Sequence, residues 1–565
     1  MVNMAQKRGR EVLVDALRAE GVKFIFGLPG GQSIDILYDA LYDAKEIKSI
    51  LVRHEQSAPF MAYAYSRLTG EPGICHGTVG PGVHNMVAGM AEAWSASMPM
   101  IAICPQVRSD HEWRGALQEF PQIPLMASFA KWAMRISSPD RIDWAIRRAF
   151  QIASNGRPGP VFIEIPSEIG EAMTETKGYS RSIRPIRMRP DVKYLAQACE
   201  LVLKAERPII LAGGGIYLSR AFEELRAFCE ALSMPVLTTA SGKGALPEDH
   251  PLSAGLIGIY RTKVSRKIWN DADLIIGIGT RFEQLETGSW EWYPDGAKLI
   301  SINIDPTEVG MNWVPDVALC ADAKLALQDL LGAVATKSRR NLEAMPRIEQ
   351  LREAKKEYEA ELESKLQGET PIAPLAVMRG LRAALRKDAI ICHENGSMDI
   401  WSYSHLPILE GGMSVMPGGQ TCMGFGVAAA IGAKLTMPSS QVICVTGDGA
   451  FQMMAKELAT AAQYKAAATW CIMNNFSLGW VKFSQKYFHR ERYISSDFEV
   501  QPDFARMAQA SKCHGETVER TSEVGEALNR ALRSNQDGVP AVLDFLIDGT
   551  EFPPGFIEYY GIGND

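Results

Sequence analysis

The sequence predicts an α/β protein made of three open parallel-sheet domains, and three observations carry that prediction. Short apolar runs alternate with longer amphipathic stretches along nearly the whole chain, the pattern of repeated strand–helix–strand units. The runs fall into three blocks separated by polar or charge-rich segments. A length of 565 residues suits about three or four domains at roughly 150 residues each. No short repeat is present, so three blocks of similar size suggest duplication of one open-sheet plan.

The first block covers 1–172. Its strands are FIFGLPG (24–30), IKSILVRHE (47–55), GICHGTVG (73–80), PMIAICPQ (99–106) and GPVFIEIP (159–166), with helical stretches ending near Leu41, over 62–68 and over 85–96. Residues 173–192 lose apolar periodicity and read as a linker. The second block, 193–336, supplies PIILAGGG (208–215), PVLTTASGKG (235–244), ADLIIGIGTRF (272–282) and KLISINID (298–305). Residues 337–371 are rich in Lys, Arg and Glu and read as a solvated helix with a connection. The third block, 372–565, runs AIICHENGS (389–397), GMSVMPGG (412–419), QVICVTGDGAF (441–451), TWCIMNN (469–475) and PAVLDFLID (540–548), then ends in an aromatic tail.

Composition removes several function classes. The net charge is 59 − 66 = −7 with no basic block, which argues against a nucleic-acid partner. No apolar run reaches the roughly 18 residues that a transmembrane helix needs, so no membrane role is expected. The first twenty residues carry charges throughout and lack a signal-peptide core, which predicts a cytoplasmic protein. Ten cysteines are scattered without a CxxC pair, as buried thiols would be, and form neither a disulfide frame nor a zinc cluster. The N-x-S triplets at Asn395 and Asn475 then have no glycosylation meaning.

The chemistry concentrates in 441–475, which reads strand, glycine-flanked aspartate, helix, strand, two asparagines. In an open parallel sheet the carboxyl ends of neighbouring strands lie together, so Asp448 and Asn475 can converge. A carboxylate and an amide oxygen are hard ligands suited to Mg²⁺, with a diphosphate completing the octahedron. Gly447 and Gly449 let backbone approach a phosphate, and the helix that follows directs its N-terminus at it.

With GDG-AF and NN at this spacing, the chain resembles the thiamine-diphosphate (ThDP) enzymes, in particular the superfamily of acetohydroxyacid synthase, 2-hydroxyacyl-CoA lyase and oxalyl-CoA decarboxylase. The resemblance spans almost the whole chain and implies pyrimidine-binding, central Rossmann-like and diphosphate-binding domains in that order. It implies Mg²⁺ held by Asp448, Asn475 and the Ser477 carbonyl. Met423 matches the bulky residue that bends the cofactor. Glu55, in RHEQSAPFMAYAYSRLTG (53–70), matches the catalytic carboxylate that stabilises the imino tautomer and so generates the nucleophilic ylid. Pro29 in GLPGGQS, with Gly82 and Asn85 in GTVGPGVHN, would lie near the pyrimidine ring. Gly396, Ser397 and Met398 in HENGSMDIW, with Ala450, Gly479 and Trp480, are counted with the cofactor set. His393 and Glu394 read as strand-end packing. The family's active site lies between subunits, which implies a homodimer or homotetramer.

In the central block Gly213, Gly214, Gly215, Gly279, Arg281 and Asp305, together with Arg157 of the first block, resemble a nucleotide surface. Family members place FAD there, or an ADP unit or the nucleotide of CoA, and some leave it empty. On the substrate side Gln118 and Lys131 keep the family's spacing at the pocket entrance, and His489 and Glu491 are acid/base candidates. Two positions depart from acetohydroxyacid synthase. Leu285, in RFEQLETG, replaces the arginine that grips the carboxylate of the second 2-keto acid, and a leucine makes no bidentate charged pair. Ser484 replaces a pocket tryptophan. The main expectation is therefore a ThDP/Mg²⁺ lyase or carboligase acting on a 2-hydroxyacyl-CoA to give formyl-CoA and a carbonyl compound. The alternative is an acetolactate synthase, or a 2-keto acid decarboxylase. Arg261, Lys263, Arg266 and Lys267 would serve CoA phosphates on that reading, although a solvated helix face explains them better.

Overall fold

The computed structural model describes residues 5–335, 346–364, 366 and 368–562. Three six-stranded parallel sheets stand in chain order. The first contains β1 (Phe24–Leu28), β2 (Lys48–Leu51), β3 (Gly73–Gly77), β4 (Met100–Gln106), β5 (Trp132–Arg135) and β6 (Pro160–Pro166). The central sheet contains β7 (Pro208–Ala212), β8 (Val236–Thr238), β9 (Ser253–Leu256), β10 (Leu274–Ile278), β11 (Lys298–Asn303) and β12 (Val317–Cys320). The third contains β13 (Ile390–Cys392), β14 (Ser414–Val415), β15 (Val442–Gly447), β16 (Thr469–Asn474), β17 (His514–Val518) and β18 (Ala541–Leu546).

The first sheet runs β2-β1-β3-β4-β6-β5 and the third β14-β13-β15-β16-β18-β17, one strand order used twice. The central sheet runs β9-β8-β7-β10-β11-β12, the Rossmann order. Strand order reverses between β1 and β3, between β13 and β15, and between β7 and β10. At such a reversal the loops leaving adjacent strands part in opposite directions and open a crevice at the carboxyl ends.

The chain divides into two compact units, one of residues up to 186 with 417–438 and 453–466, the other of 187–416 with 439–452 and 467–565. Helices Phe425–Thr436 and Leu458–Tyr464 belong to the first unit, where they pack on helix Ser57–Thr69 and beside β2. The cause is close fit. Phe425 meets Phe60 and Tyr63 edge-on at 5.4 and 4.8 Å, and Gly432 lies against the Met61 backbone where a Cβ would clash.

Strand periodicity sorts the core of the second unit. Ile210, Ala212, Ile276, Ile278, Ile300 and Ile302 point to one face of the central sheet, while Ile209, Leu211, Ile275 and Leu299 point to the other. That second face continues into Ile391, Ile443, Val445, Met473 and Phe545 of the third sheet, so the two sheets share one core. Lys243 anchors the junction: its fully buried ammonium binds both Glu248 oxygens at 2.9 and 2.8 Å, while Glu248 N donates to the Ile408 carbonyl and Glu248 Oε2 accepts from Ile408 N.

The two segments between the blocks carry structure of their own. Met173–Thr176 pairs antiparallel with Ala5–Arg8, so the 173–192 linker opens as a strand. Residues 336–345 lie outside the described residues; in the charged segment Pro346–Ser364 is a helix, and its Leu351, Tyr358 and Leu362 are buried. Its charges mask a narrow apolar stripe, and Tyr358 binds the buried His405 at 3.1 Å. The ten cysteines are free, eight of them buried, with Cys320 exposed and Cys422 half-buried. Among the described residues no helix is long and apolar enough to cross a membrane.

Candidate active site

In the first unit the loops after β1, β2 and β3 meet at the strand reversal. Glu55, on the turn after β2, is buried, and its Oε2 accepts from Asn85 Nδ2 at 2.9 Å. Its Oε1 lies 3.2 Å from where a Cβ at Gly82 would sit, so glycine keeps the carboxylate's near side clear. Pro29 precedes Gly30, whose missing Cβ lets the β1 loop seat on Thr78 of the β3 loop. Glu457, unrecognised in the sequence, fixes the Glu55 turn. Fully buried, it accepts from Arg53 N (2.9 Å), Ser57 Oγ (2.8 Å) and Thr460 Oγ1 (2.7 Å).

Met423 is half-buried on the 417–424 loop. Glu92, also unrecognised and fully buried, holds that loop by accepting from Gly418 N (2.5 Å) and Cys422 N (2.8 Å). Burial pushes the Glu92 carboxyl up, and those amides oppose the shift.

Gln118 is exposed and left-handed (φ 65°), its carbonyl packed on Gly80. Beneath it Gln122 accepts from Gly80 N and donates to Glu164, which also binds Arg135. Lys131 lies on the approach to β5, its ammonium donating to the carbonyls of Ile152 and Asn155 at the end of helix Ile142–Ser154, where a cation complements the helix dipole. Arg157 also lies in this unit, donating to Ser97 Oγ at 2.8 Å with its guanidinium over Trp94.

In the second unit the strand ends of β13, β15 and β16 converge. Asp448 opens the helix after β15, almost wholly buried. Its Oδ1 accepts from Gly449 N at 2.9 Å and its Oδ2 from Gln501 Nε2 at 2.5 Å. Burial raises its pKa to about 6 against those donors. The two asparagines divide the work. Asn474 donates to Asp544 and accepts from Phe476 N, an internal brace, while Asn475 Oδ1 accepts from Ser477 N at 3.2 Å and its buried Nδ2 has no partner. Between them and Ser477 the chain reverses at Phe476, a left-handed residue (φ 56°).

A Cβ on Gly479 would stand 2.8 Å from Asn475 Nδ2 and would collide with Ser397 Oγ. Loops from β13 and β16 thus close on a cradle that only glycine leaves open. Gly447 has open space where its Cβ would be, as expected of a group near a phosphate, whereas Gly449 is filled by Leu478 and Phe498. Gly396 lies against Asp399, Met398 is in the shared core, and Ala450 is buried. Asp399 was not foreseen. It is buried, neither oxygen has a hydrogen-bond partner, and burial beside Glu394 and Asp448 raises its pKa well above the usual range. His393 stacks on Tyr403 and binds Ser402 Oγ, in keeping with strand-end packing.

The central crevice has its own account. Gly213 and Gly215 press on the Gly279 backbone, and Gly279 is left-handed (φ 58°), so backbone packing alone demands these glycines; Gly214 faces Ser241. Arg281 pairs with Glu283, and Asp305 accepts from Thr307 N and Oγ1 within its own turn.

Helix Gly479–Phe488 begins at the cradle and lines a pocket of about 520 Å³ with Trp480, Phe483, Ser484, Phe488 and His489, joined by Tyr560 of the tail. Trp480 Nε1 donates to Tyr560 Oη at 3.1 Å. Glu491 is exposed beyond this helix, left-handed at φ 57°. Leu285 packs among Ile259, Phe483 and Phe556. Arg261 and Arg266 both pair with Glu558 of the tail and Lys263 pairs with Glu361, while Lys263, Arg266 and Lys267 stay exposed, so the basic run is a solvated helix face whose charges are partly paired.

Comparison with known proteins agrees with this arrangement. Descriptions of the thiamine pyrophosphate enzymes match an N-terminal TPP-binding domain at 7–125, a central domain at 195–330 and a C-terminal TPP-binding domain at 394–545. A probable acetolactate synthase large subunit of Methanocaldococcus jannaschii is 36% identical over 97% of this chain and 94% of its own. The acetolactate synthase isozyme 2 large subunit of Escherichia coli is 32% identical over 97% of this chain and 98% of its own. With glycine-opened strand ends where the thiamine pyrophosphate domains match, the chain belongs to the ThDP-dependent enzymes of the acetohydroxyacid synthase superfamily.

Proposed function

We propose that this ThDP enzyme is a Mg²⁺-dependent carboligase of the acetolactate-synthase type, decarboxylating a 2-keto acid and joining the acyl remainder to a second carbonyl compound. The observation that carries the reading is the cradle of Ser397, Asn475 and Gly479 beside Asp448. These residues fit the implied groups: a carboxylate and an amide for a hard cation, an unpartnered buried amide N–H for an anion, and space that a Cβ would fill. ThDP, when bound, would supply a nucleophilic carbon and an electron sink for the pair released on decarboxylation. Glu55, held through Oε2 by Asn85, offers Oε1 to a ring nitrogen and holds a proton there.

The 2-hydroxyacyl-CoA reading has less support, because Arg261, Lys263 and Arg266 are already paired within the protein. The close relatives compared are acetolactate synthases. Leu285 leaves no arginine at that position for an acceptor carboxylate, so the acceptor is held by other contacts. A nucleotide in the central crevice is not part of the proposal, since its glycines are explained by backbone packing. From the resemblance we further infer a homo-oligomer.

The test supplies ThDP and Mg²⁺ with pyruvate in one reaction and 2-hydroxyacyl-CoA thioesters in another. CO₂ release from pyruvate, dependent on both additions, is expected. Formyl-CoA from the thioesters with no CO₂ from pyruvate would overturn the assignment.

A further inference from the structure

We propose that Gln501 is a positioning residue of the cation site, orienting Asp448 through its amide N–H and presenting its amide oxygen to the cation's shell. The inference rests on the reading of Asp448 and Asn475 as ligands of a divalent cation.

Three features of the chain place Gln501 there. Residues 496–498 run back along 476–478: Leu478 N donates to Ser496 O at 2.7 Å, Phe498 N to Phe476 O at 2.9 Å, and Ser477 bridges Asp497. The segment that follows the active-site helix is thereby tied to the loop of Asn475 and Ser477, and Gln501 comes three residues later. Its Nε2 then donates to Asp448 Oδ2 at 2.5 Å. Its Oε1 is buried and has no hydrogen-bond partner.

Each end of the amide has a consequence. Asp448 Oδ1 is fixed by the backbone of Gly449, so Gln501 supplies the second restraint that sets the rotation of the carboxylate. A carboxylate oxygen has lone pairs for both an N–H donor and a cation, so this bond persists when the site is filled. The Oε1 carbonyl is a hard oxygen buried without a donor, an arrangement that proteins rarely leave unsatisfied. Mg²⁺ gives up its waters reluctantly, and a water of its shell is the donor that such a carbonyl lacks. Outer groups that orient ligands in this way commonly set metal affinity by roughly 10–100-fold.

The test measures Mn²⁺ binding by electron paramagnetic resonance, with ThDP present, for the wild type, Q501L and Q501E, and thermal unfolding of each protein without cation. Q501L is expected to bind Mn²⁺ roughly 10–100-fold more weakly, with Q501E recovering only part of the affinity, because it restores a hard oxygen but not the N–H that orients Asp448. Q501L affinity within twofold of the wild type would overturn the proposal. So would equal weakening in both variants accompanied by equal loss of thermal stability, the signature of a purely structural glutamine. Failure of the wild type itself to bind Mn²⁺ would overturn the underlying cation-site reading, a separate outcome.

Discussion

Glu55 and Asp448 are both buried carboxyls, and the proposed function assigns them opposite tasks. Glu55 is held at one oxygen by Asn85 and left clear at the other by Gly82. Glu55→Gln keeps the shape and removes the exchangeable proton, so turnover should fall by about 10²–10⁴-fold while calorimetry shows ThDP affinity changed only slightly. Activity within tenfold of the wild type would refute that role. Asp448 has its pKa raised to about 6 by burial. A carboxyl raised above its unfolded value of 3.8 contributes stability below about pH 4 and loses it as pH rises through about 6. A cation must displace that proton, so Mg²⁺ affinity in the presence of ThDP should drop about tenfold per pH unit below 6. Isothermal titrations at pH 5, 6 and 7 check the slope, and a flat profile would contradict it. Asp448→Ala should lose Mg²⁺-dependent ThDP binding altogether.

At the scale of elements, strands and motif loops were legible in the sequence because they obey local rules. The GDG turn, the paired asparagines and the glycine loops sit at strand ends where alternation of apolar runs puts them. Glu92 and Glu457 were not legible. Each looks like an ordinary helical charge, and its function exists only because distant backbone amides and hydroxyls converge on it. The membership of 417–438 and 453–466 in the first unit was hidden for the same reason, since chain order suggests contiguous domains. The glycines of the central block show a nucleotide-like spacing in the sequence, and in the fold Gly213 and Gly215 also meet a need of close backbone packing on Gly279. Glu457→Ala should leave Arg53 N unpaired and Ser57 Oγ and Thr460 Oγ1 with only their longer contacts to Met454 Sδ and the Leu51 carbonyl, costing about 2–3 kcal/mol of stability, measured by urea unfolding. A change under about 1 kcal/mol would show that the Glu55 turn holds itself.

Over the whole chain, one strand order serves the first and third sheets, and each sheet has its own reversal point. The sequence showed three blocks but not this identity of order, because pairing between strands is non-local. The tail adds a layer that composition could only call aromatic. Phe556 is fully buried among Ile259, Ile400 and Phe483, and Glu558 ties the tail to Arg261 and Arg266. Phe556→Ala should cost about 3–5 kcal/mol and disturb the pocket along 480–489, raising KM more than it lowers kcat. The account's central claim is that this scaffold links two carbonyl compounds after a decarboxylation. Mass spectrometry of the products from ¹³C-labelled pyruvate with ThDP and Mg²⁺ tests it most directly. Doubly derived acetolactate is the result expected, and acetaldehyde alone, or no product from pyruvate, would contradict it.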